Sequence, residues 1–420
     1  MRIKLVFVVA LHSFIINSLF AQQTIHIKGI IRNARDSSAV AFAVVGTPGE
    51  GCQSGLDGKF EMQLSVKNHP APDSITIYCL GYENYQLSLN DAANKDLNIF
   101  LTPKEFLIDV VHATGYRIKT ILKKAEDRIP INYPSEAFAM DAFYRQYHKE
   151  NGKYVRLIEG DLGIYHKSID SVSASAQKEM VRVKHLRRSI NYEENKEQHG
   201  DHVIDLLNEN PTRYVIGSVL NSKAFDFYTF KLEPDTTNAA EGRKFYHILF
   251  MSKPGSMQKN ERGEILIDEE TFAVTYIKII EEKNEDARAD LRLNSGKYEW
   301  RFINGLFEAT FIKQGNKYYP AELFKSYLHE LVNATFQSVD YKIEENFYLF
   351  YNASSYQEIK KSFAPKSYSS TGNLYSSKYE YDKNFWDNYK VIEEHFPSSN
   401  IRKDLSAHKP LDEQYKEAGK

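Results

Sequence analysis

Hydrophobic and polar residues alternate in short runs along most of this chain, and no other feature constrains the fold as strongly. The first such stretch spans residues 24–102, where turn dipeptides such as Asp57-Gly58 separate the runs. Successive side chains of a β-strand point to opposite faces, so each run predicts a strand with one buried face. Short strands with turns between them are typical of a β-sandwich. The alternating positions are Ile25, Ile27, Gly29, Phe60, Met62, Leu64, Val66, Ile75, Ile77, Cys79, Leu87, Leu89, Leu97, Ile99 and Leu101.

Two segments of this stretch resemble the carboxypeptidase-regulatory-like domain: GEGCQSGLDGKF at residues 49–60 and ITIYCLGY at residues 75–82. The residues kept are Gly51, Gly58, Phe60, Gly81 and Tyr82, while Cys52, Gly55, Tyr78 and Cys79 replace the usual Thr, Asp, Ser and Tyr. The resemblance implies a transthyretin-like β-sandwich, common at the N-terminus of exported Bacteroidetes-type proteins. It covers less than a fifth of the chain and implies no peptidase activity, since that domain has none itself.

The first residues predict a signal peptide over residues 1–21. Arg2 and Lys4 form a basic start, residues 5–10 are apolar, and the Leu-Phe-Ala sequence at 19–21 offers a cleavage site before Gln22. The apolar run is too short for a stable membrane helix, which argues against an uncleaved anchor. No Cys lies near the cleavage site, so we expect no lipid attachment. The expected location is the periplasm or the outer membrane.

Composition excludes two further classes of protein. The chain has 54 Lys and Arg against 56 Asp and Glu, and no basic block stands out, so a nucleic-acid partner is not expected. No later segment reaches the roughly 20 apolar residues that a membrane helix needs, so we predict none in the mature chain. The many Tyr and Phe suit amphipathic strands.

The cysteines, Cys52 and Cys79, both fall within residues 24–102. In an exported protein such a pair can form a disulfide. Two small buried thiols are an equally good interpretation, because free Cys packs well in a core. Cys79 is in phase with Ile75 and Ile77, so its side chain is expected to face the core. Both interpretations stay open at this point.

The remainder divides into three segments. Residues 103–135 form a connector with an amphipathic helix at 117–128, in which Ile118, Ile121, Leu122 and Ala125 recur at helical spacing. Residues 136–350 return to alternating strands, and we predict a large antiparallel β domain there. Asn151-Gly152, Asn304-Gly305 and Gly315-Asn316 are predicted hairpin turns.

Residues 263–274 resemble the repeating strand–turn–strand units of curved half-barrels, which exported lipoprotein carriers use to hold acyl chains. Residues 351–420 form a Tyr- and Ser-rich segment with a predicted short helix at 385–396. We expect this segment either to wrap over the sheet or to remain partly mobile. The predicted fold is therefore mainly β: an N-terminal sandwich, then a larger antiparallel domain with the character of a curved half-barrel, and a few short helices.

Candidate catalytic motifs are incomplete. His329-Glu330 precedes Asn333, which stands where a zinc-protease motif needs its second His. The flanking residues predict a strand with His329 and Glu330 facing solvent. No His-x-x-Glu pair with a later His supports a carboxypeptidase zinc centre, and the sequence contains no Gly-x-Ser-x-Gly elbow, phosphate loop or dinucleotide fingerprint.

Two clusters of acidic or His residues are candidate sites. His199, Asp201 and His202 lie close together, but they lack a third distant ligand, so a helix cap at Asp201 is the favoured interpretation over a metal site. Asp268, Glu269, Glu270, Glu281 and Glu282 include enough carboxylates for a glycosidase pair, but acids at a strand end are usually solvated. We therefore predict no catalytic residue, no metal and no cofactor.

The sequence thus favours an exported, non-enzymatic binding or envelope-associated protein, with an envelope protein, a lipid or a glycan as its partner. A periplasmic lipid or glycan carrier is the alternative, and a hydrolase with a non-standard site in the β domain is a further one. The order of a regulatory-like module followed by a β-rich region resembles that of uncharacterised Bacteroidetes proteins.

Overall fold

The computed structural model describes residues 24–103, 112–166, 179–194, 207, 220–359, 368 and 374–420, with shorter gaps inside these ranges. The gaps are residues 36, 41–42, 48–49, 56, 66–73, 80–81, 94, 234–235, 239–242, 256–258, 284–290, 293–296, 376 and 390–397. The chain divides into two compact units, Met1–Ile108 and Asp109–Lys420. The predicted signal peptide and residues 104–111 of the predicted connector lie outside the described residues. Among the described residues, none of the helices combines the length and apolar character needed to cross a bilayer.

The first unit contains two small β-sheets. Its elements are β1 (Thr24–Asn33), β2 (Val44–Thr47), β3 (Glu50–Gln53), β4 (Lys59–Ser65), β5 (Ser74–Tyr78), β6 (Tyr85–Ser88), helix α1 (Leu89–Ala92) and β7 (Asp96–Leu101). One sheet has the order β4-β1-β7 and the other has the order β3-β2-β5-β6. Ile27, Ile31, Val45, Ile75 and Ile77 are fully buried and belong to one core. The predicted alternation is confirmed for β1, β4, β5 and β7, but Leu89 begins α1 instead of continuing a strand, and Val66 lies outside the described residues.

Asp57-Gly58 forms the predicted turn before β4. Gly58 has φ +76°, and a Cβ on it would lie 2.5 Å from the carbonyl oxygen of Ile31. Glycine is the residue that fits both the left-handed backbone and this close approach. Gly81 lies outside the described residues, but the N–H of Tyr82 donates to the Cys79 carbonyl at 3.0 Å.

The structure keeps Cys52 and Cys79 as separate thiols. Val45 on β2 pairs with Cys52 on one side and with Ile77 on the other, so a whole strand separates Cys52 from β5. Two strand spacings amount to about 9–10 Å, whereas a disulfide needs Cα atoms within about 7 Å. Cys79 faces the core as predicted and is 1% exposed, and Cys52 packs against the same core.

The second unit is built on a large antiparallel sheet. Its strands are β8 (Phe138–Glu150), β9 (Lys153–His166), β10 (Met180–Arg188), β11 (Tyr228–Leu232), β12 (Thr236–Asn238), β13 (Arg243–Ser252), β14 (Lys259–Asp268), β15 (Val274–Lys283), β16 (Leu291–Arg292), β17 (Tyr298–Gln314), β18 (Lys317–Asn333) and β19 (Val339–Glu358). Ten of them follow the order β10-β9-β8-β19-β18-β17-β15-β14-β13-β11, while β12 pairs with β13 and β16 with β17. The helical elements are α2 (His112–Asp127), α3 (Ile129–Asn132), a 3-10 helix (Ser222–Phe227), α4 (Lys383–Asn388), α5 (Ser398–Ser406) and α6 (Leu411–Ala418). The mainly β fold with a few short helices is confirmed.

Two of the three predicted hairpin turns in this unit are confirmed. Asn151-Gly152 joins β8 to β9 with both residues at positive φ, and Gly315 turns β17 into β18. The turn predicted at Asn304-Gly305 is wrong, because β17 runs straight through it with only a register shift. Gly305 instead faces the ring of Tyr327, which would lie 3.0 Å from an added Cβ. Glycine at this position makes room for a cross-strand aromatic ring.

Helices α2 and α3 pack on the face of the sheet that carries Tyr144, Ile277 and Leu349, here called the inner face. The predicted helix is confirmed, and Ile118, Ile121, Leu122 and Ala125 are all buried. Side-chain hydrogen bonds connect the α3 region to the sheet. Lys317 Nζ donates to the carbonyls of Pro130, Ile131 and Tyr133. Tyr133 Oη donates to the Val274 carbonyl at 2.7 Å.

The helices of the C-terminal segment pack on the opposite, outer face, which carries Phe143 and Glu159, whereas Leu374 and Tyr379 belong to the same core cluster as the inner face. Trp386 of α4 is buried against Phe143, while α5 contacts β9 and α6 contacts β10. The structure thus favours wrapping for the described part of this segment. The helix predicted at 385–396 is described only as α4, since residues 390–397 lie outside the described residues.

A buried ion cluster joins this segment to the sheet. Glu159 is 1% exposed and accepts from Arg145 Nε at 2.7 Å and from Arg187 Nε at 2.5 Å. Burial raises the pKa of Glu159, but Arg187 and Arg145 lower it by more, so the pKa is below its usual value and the carboxylate stays charged. The guanidinium of Arg187 also lies 4.4 Å from the ring of Trp386 and 5.1 Å from that of Tyr415.

We predict that unreduced protein denatured in guanidinium chloride titrates two thiols. In the native protein, Cys52 is expected to react slowly, because burial raises its pKa to about 12 and the thiolate is the reactive form. A thiol-reagent time course on both states measures this. Absence of reactive thiols after denaturation would show that the cysteines are bridged.

We predict that Glu159→Gln lowers the free energy of unfolding by about 3–5 kcal/mol at neutral pH, since two buried guanidinium groups lose their counter-ion. Urea unfolding followed by circular dichroism gives the value. Glu330→Gln is the matched control on the same face: its side chain is 17% exposed, with Arg301 3.5 Å away, so a change of at most about 1 kcal/mol is expected. Equal losses in both variants would contradict the special role of Glu159.

Candidate functional site

The register of the large sheet places side chains of the inner face in rows that cross the strands. One row, here the apolar row, runs through all ten strands and contains Leu186, Gly160, Tyr144, Leu349, Leu323, Ala309, Ile277, Ile265, Ile248 and Leu232. Every side chain from Leu186 to Ile248 in this row is at most 1% exposed. A continuous apolar strip therefore crosses the whole sheet.

The next row on the same face, here the mixed row, is apolar with three polar exceptions. Its members are Arg188, Ile158, Gln146, Phe347, Lys325, Phe307, Ile279, Gly263, Phe250 and Phe230. Lys325 sits between Phe347 and Phe307 and is 7% exposed, with Nζ 4.7 Å from the centre of the Tyr327 ring. Gly263 leaves space for Phe250, whose ring would lie 2.3 Å from an added Cβ.

The third row, here the charged row, lies between the mixed row and a further apolar cluster that includes Leu331 and Ile343. It contains Arg156, His148, Glu345, Tyr327, Gly305, Glu281 and Glu261 in register order. Glu261 accepts a hydrogen bond of 2.7 Å from Tyr228 Oη, so this row also reaches β11. The inner face thus changes from apolar to charged within one step along the strands.

His148 is the centre of the charged row. Its Nδ1 lies 3.0 Å from Glu193 Oε1 and its Nε2 lies 2.9 Å from Glu345 Oε1, while Arg156 Nη2 is within 2.8 Å of both ring nitrogens. Burial and Arg156 lower the pKa of His148, but Glu345 and Glu193 raise it by more, so the pKa lies above its usual value. The pKa of Glu193 is lowered despite burial, chiefly by its hydrogen bond with His148.

The chemistry of this cluster is that of a self-contained ion network. Glu193 Oε1 is hydrogen-bonded to His148 Nδ1 and Glu345 Oε1 forms an ion pair with its Nε2, while Gln146, which lies 3.2 Å from His148 Nε2, accepts from Tyr144 Oη at 2.9 Å. Across the ranges that the structure describes, no three His, Cys, Asp or Glu side chains are placed to share a metal ion. We interpret the charged row as a structural boundary to the apolar rows.

The residues weighed from the sequence lie elsewhere. His199, Asp201 and His202 are outside the described residues, so their assignment stays a prediction. The strand predicted around His329 and Glu330 is confirmed as β18, but the solvent-facing orientation of His329 is wrong. Its side chain is 8% exposed and packs 4.3 Å from the Trp300 ring, while Glu330, on the other face, lies 3.5 Å from Arg301.

The acids considered as a glycosidase pair do not converge. Asp268 sits at the β14–β15 turn, where its Oδ1 accepts from the N–H groups of Glu270 and Thr271. Glu281 pairs with Glu261 seven residues beyond Val274, about 23 Å along the strand. Asp268 is buried, contrary to the solvated role expected for it, because it caps the turn.

Sequence reasoning did not find His148, Glu193 or Glu345. The signal was present in β8, where Gln146 and His148 continue the alternation of Met140, Ala142 and Tyr144 on the core-facing phase. Polar residues in phase with a buried face indicate a buried polar cluster, because such groups need partners. Their partners, however, come from distant segments that this phase does not identify.

Comparison with known proteins adds little to this description. No protein-family model matches the chain, and no curated protein matches it in sequence. Among solved structures, it is similar to a LolA superfamily protein of Nitrosomonas europaea, with 11% identity and a TM-score of 0.23 over 58% of this chain and 94% of the other. A DUF1329 family protein of Desulfovibrio piger has 10% identity and a TM-score of 0.26 over 60% and 94%. Lipovitellin, solved for its lipid–protein interactions, has 7% identity and a TM-score of 0.23 over 55% and 26%. These scores are too low to say what this chain binds.

We predict that His148 makes stability depend on pH on the alkaline side. Its pKa is raised in the folded state, so its contribution is fully present below the unfolded value of 6.5 and is lost as pH rises through the folded pKa. Urea unfolding at a series of pH values, for the natural protein and for His148→Gln, measures the difference. The difference is expected to shrink above about pH 6.5, and one that is constant or grows with pH would contradict the assignment.

Proposed function

We propose that this protein is an exported, non-enzymatic binding protein whose second unit holds the acyl chains of a lipid on the inner face of its sheet. The observation that carries the proposal is the apolar row, which crosses ten strands without a charged side chain. The mixed row beside it adds Phe347, Phe307, Ile279 and Phe250. Burial of each methylene group contributes about 0.8 kcal/mol, so such a strip favours a chain-like apolar ligand.

The extent of the apolar row supports this choice. Ten strands at about 4.8 Å spacing span roughly 43 Å, whereas one helix is about 10–12 Å in diameter. Helix α2 contacts β11 and the 3-10 helix at one side of the sheet. Ile118, Ile121 and Leu122 of α2 belong to the same buried cluster as this row, so a bound acyl chain would share the inner face with the helix.

The charged row supports an amphipathic ligand over a purely apolar one. It lies beside the mixed row on the same face and holds buried charges in fixed positions. An apolar chain could bind at any position along the apolar and mixed rows with similar free energy. Crossing the charged row would desolvate its ions, which is unfavourable. The charged row thus limits where an acyl chain can lie.

The first unit has a separate role in this proposal. We propose that it is a carboxypeptidase-regulatory-like sandwich that acts as a docking or spacing module in the envelope. The retained turn supports this: Gly58 keeps its positive φ, and Phe60 lies in the core. The predicted signal peptide would deliver the chain to the periplasm or the outer membrane, with an envelope protein as the partner of this unit.

We predict saturable binding of a fluorescent fatty acid, cis-parinaric acid, to delipidated full-length protein. Phe307→Ala on the mixed row should weaken this binding about 10-fold, because contact with one large apolar side chain is worth about 1.5 kcal/mol or more. Fluorescence titration gives the affinity, and circular dichroism confirms that each variant is folded.

The matched control is Phe324→Ala, which removes the same ring from the outer face of β18, where it stacks on Tyr348. Its affinity for the probe should remain that of the natural protein. Absence of binding by the natural protein, or an equal loss in both variants, would reject an acyl site on the inner face.

A further inference from the structure

A second cluster of polar side chains lies on the inner face, at the end of β9 away from the charged row. His166 ends β9, Glu179 lies just before β10, and Tyr351 is on β19. The Nδ1 of His166 is 3.7 Å from Glu179 Oε2, and its ring centre is 5.4 Å from that of Tyr351. The ring of Phe138 stacks on His166 at 4.6 Å. We call these four residues the His166 cluster.

The polar atoms of this cluster are buried and lack hydrogen bonds. His166 is 2% exposed, and among the described residues neither of its ring nitrogens has a hydrogen-bond partner. Tyr351 is 9% exposed, and its hydroxyl has no partner in the same part of the chain. A buried polar group without a partner costs about 1–3 kcal/mol, so proteins rarely keep two side by side. Both groups become satisfied if a ligand presents a group that donates and accepts hydrogen bonds there.

The charged row and the His166 cluster therefore differ in how the histidine of each is hydrogen-bonded. In the charged row, His148 is held by Glu193 and Glu345, so its hydrogen bonds are made within the protein. His166 is a residue of the same type and similarly buried, but its nearest carboxylate is beyond hydrogen-bond distance at 3.7 Å. The His166 cluster is thus a place on this face where a ligand's polar group can supply missing hydrogen bonds.

The surroundings favour an uncharged polar group. Tyr319 and Tyr356 lie 5.4 Å and 5.8 Å from Phe138, so the walls are aromatic. Burial and, to a smaller degree, the charge of Glu179 raise the pKa of Tyr351 well above its usual value, which keeps its hydroxyl protonated. A second carboxylate or a phosphate would meet the charge of Glu179 in an apolar environment, which is unfavourable.

We propose that the His166 cluster binds the uncharged glycerol headgroup of a glyceride, with a ligand hydroxyl hydrogen-bonded to His166 and Tyr351. The inference rests on the proposed function, because the acyl chain of the same molecule lies along the apolar row. Tyr351 pairs with Ala142, two residues from Tyr144 of that row on the same face of β8, so headgroup and chain sites adjoin.

The test compares monoolein with oleate, which share one acyl chain and differ in headgroup, on delipidated full-length protein at neutral pH. Monoolein should bind more tightly than oleate. Tyr351→Phe removes one hydroxyl, and we expect it to weaken monoolein binding about 3- to 10-fold while leaving oleate binding unchanged. Calorimetric titration measures both affinities.

Tyr356→Phe is the matched control, since it removes a hydroxyl from the same aromatic wall but from a residue that bonds to Tyr319. It should leave the ratio of the two affinities unchanged. Urea unfolding tests whether Tyr351 has only a structural role. Tyr351→Phe loses no hydrogen bond within the described residues, so its free energy of unfolding should be at least that of the natural protein.

The outcomes distinguish the two proposals. If both ligands bind but oleate binds as tightly as monoolein, or Tyr351→Phe changes both affinities equally, the headgroup assignment is wrong and the acyl site stands. If neither ligand binds to the natural protein, both proposals are wrong. Selective loss of monoolein affinity in Tyr351→Phe supports both.

Discussion

The register between ten antiparallel strands decides which side chains share a surface in the second unit. Because side chains alternate along a strand, a shift of one residue would move a whole set from the inner to the outer face. The apolar, mixed and charged rows exist only in the register that pairs Tyr144 with Leu349 and Ile277 with Ile265. Packing of α2, packing of the C-terminal helices and the proposed binding surface all depend on that pairing.

Buried polar groups of this sheet occupy three kinds of electrostatic environment. Glu159 is neutralised by Arg145 and Arg187 beneath the C-terminal helices, and His148 is held between two carboxylates. His166, in contrast, has no hydrogen bond among the described residues. Paired groups at comparable depth show that this fold can satisfy buried charges. A buried imidazole without a hydrogen bond among the described residues, on the face that bears the apolar row, is therefore consistent with the proposed ligand site.

The fold could be predicted where local signals decide it. The alternation in residues 24–102, the helix around Ile121 and the turn at Asn151-Gly152 follow from short-range chemistry. Asn304-Gly305 has the same local signal as a turn, but the approach of Tyr327 from the neighbouring strand keeps β17 extended. The site could not be predicted, since His148 meets Glu193 and Glu345 only through strand pairing across 45 and 197 positions.

The pairing of β8 with β19 has a consequence for how the chain reaches its fold. Tyr147 and Tyr348 hydrogen-bond across the two strands although 201 positions separate them. At a synthesis rate of about 5–20 residues per second, β8 exists for about 10–40 s before β19 is made. Through that interval its N–H and C=O groups on the β19 side have no native strand partner, and such an edge recruits other strands. Any process that keeps the chain unfolded until its last strands are synthesised removes this hazard.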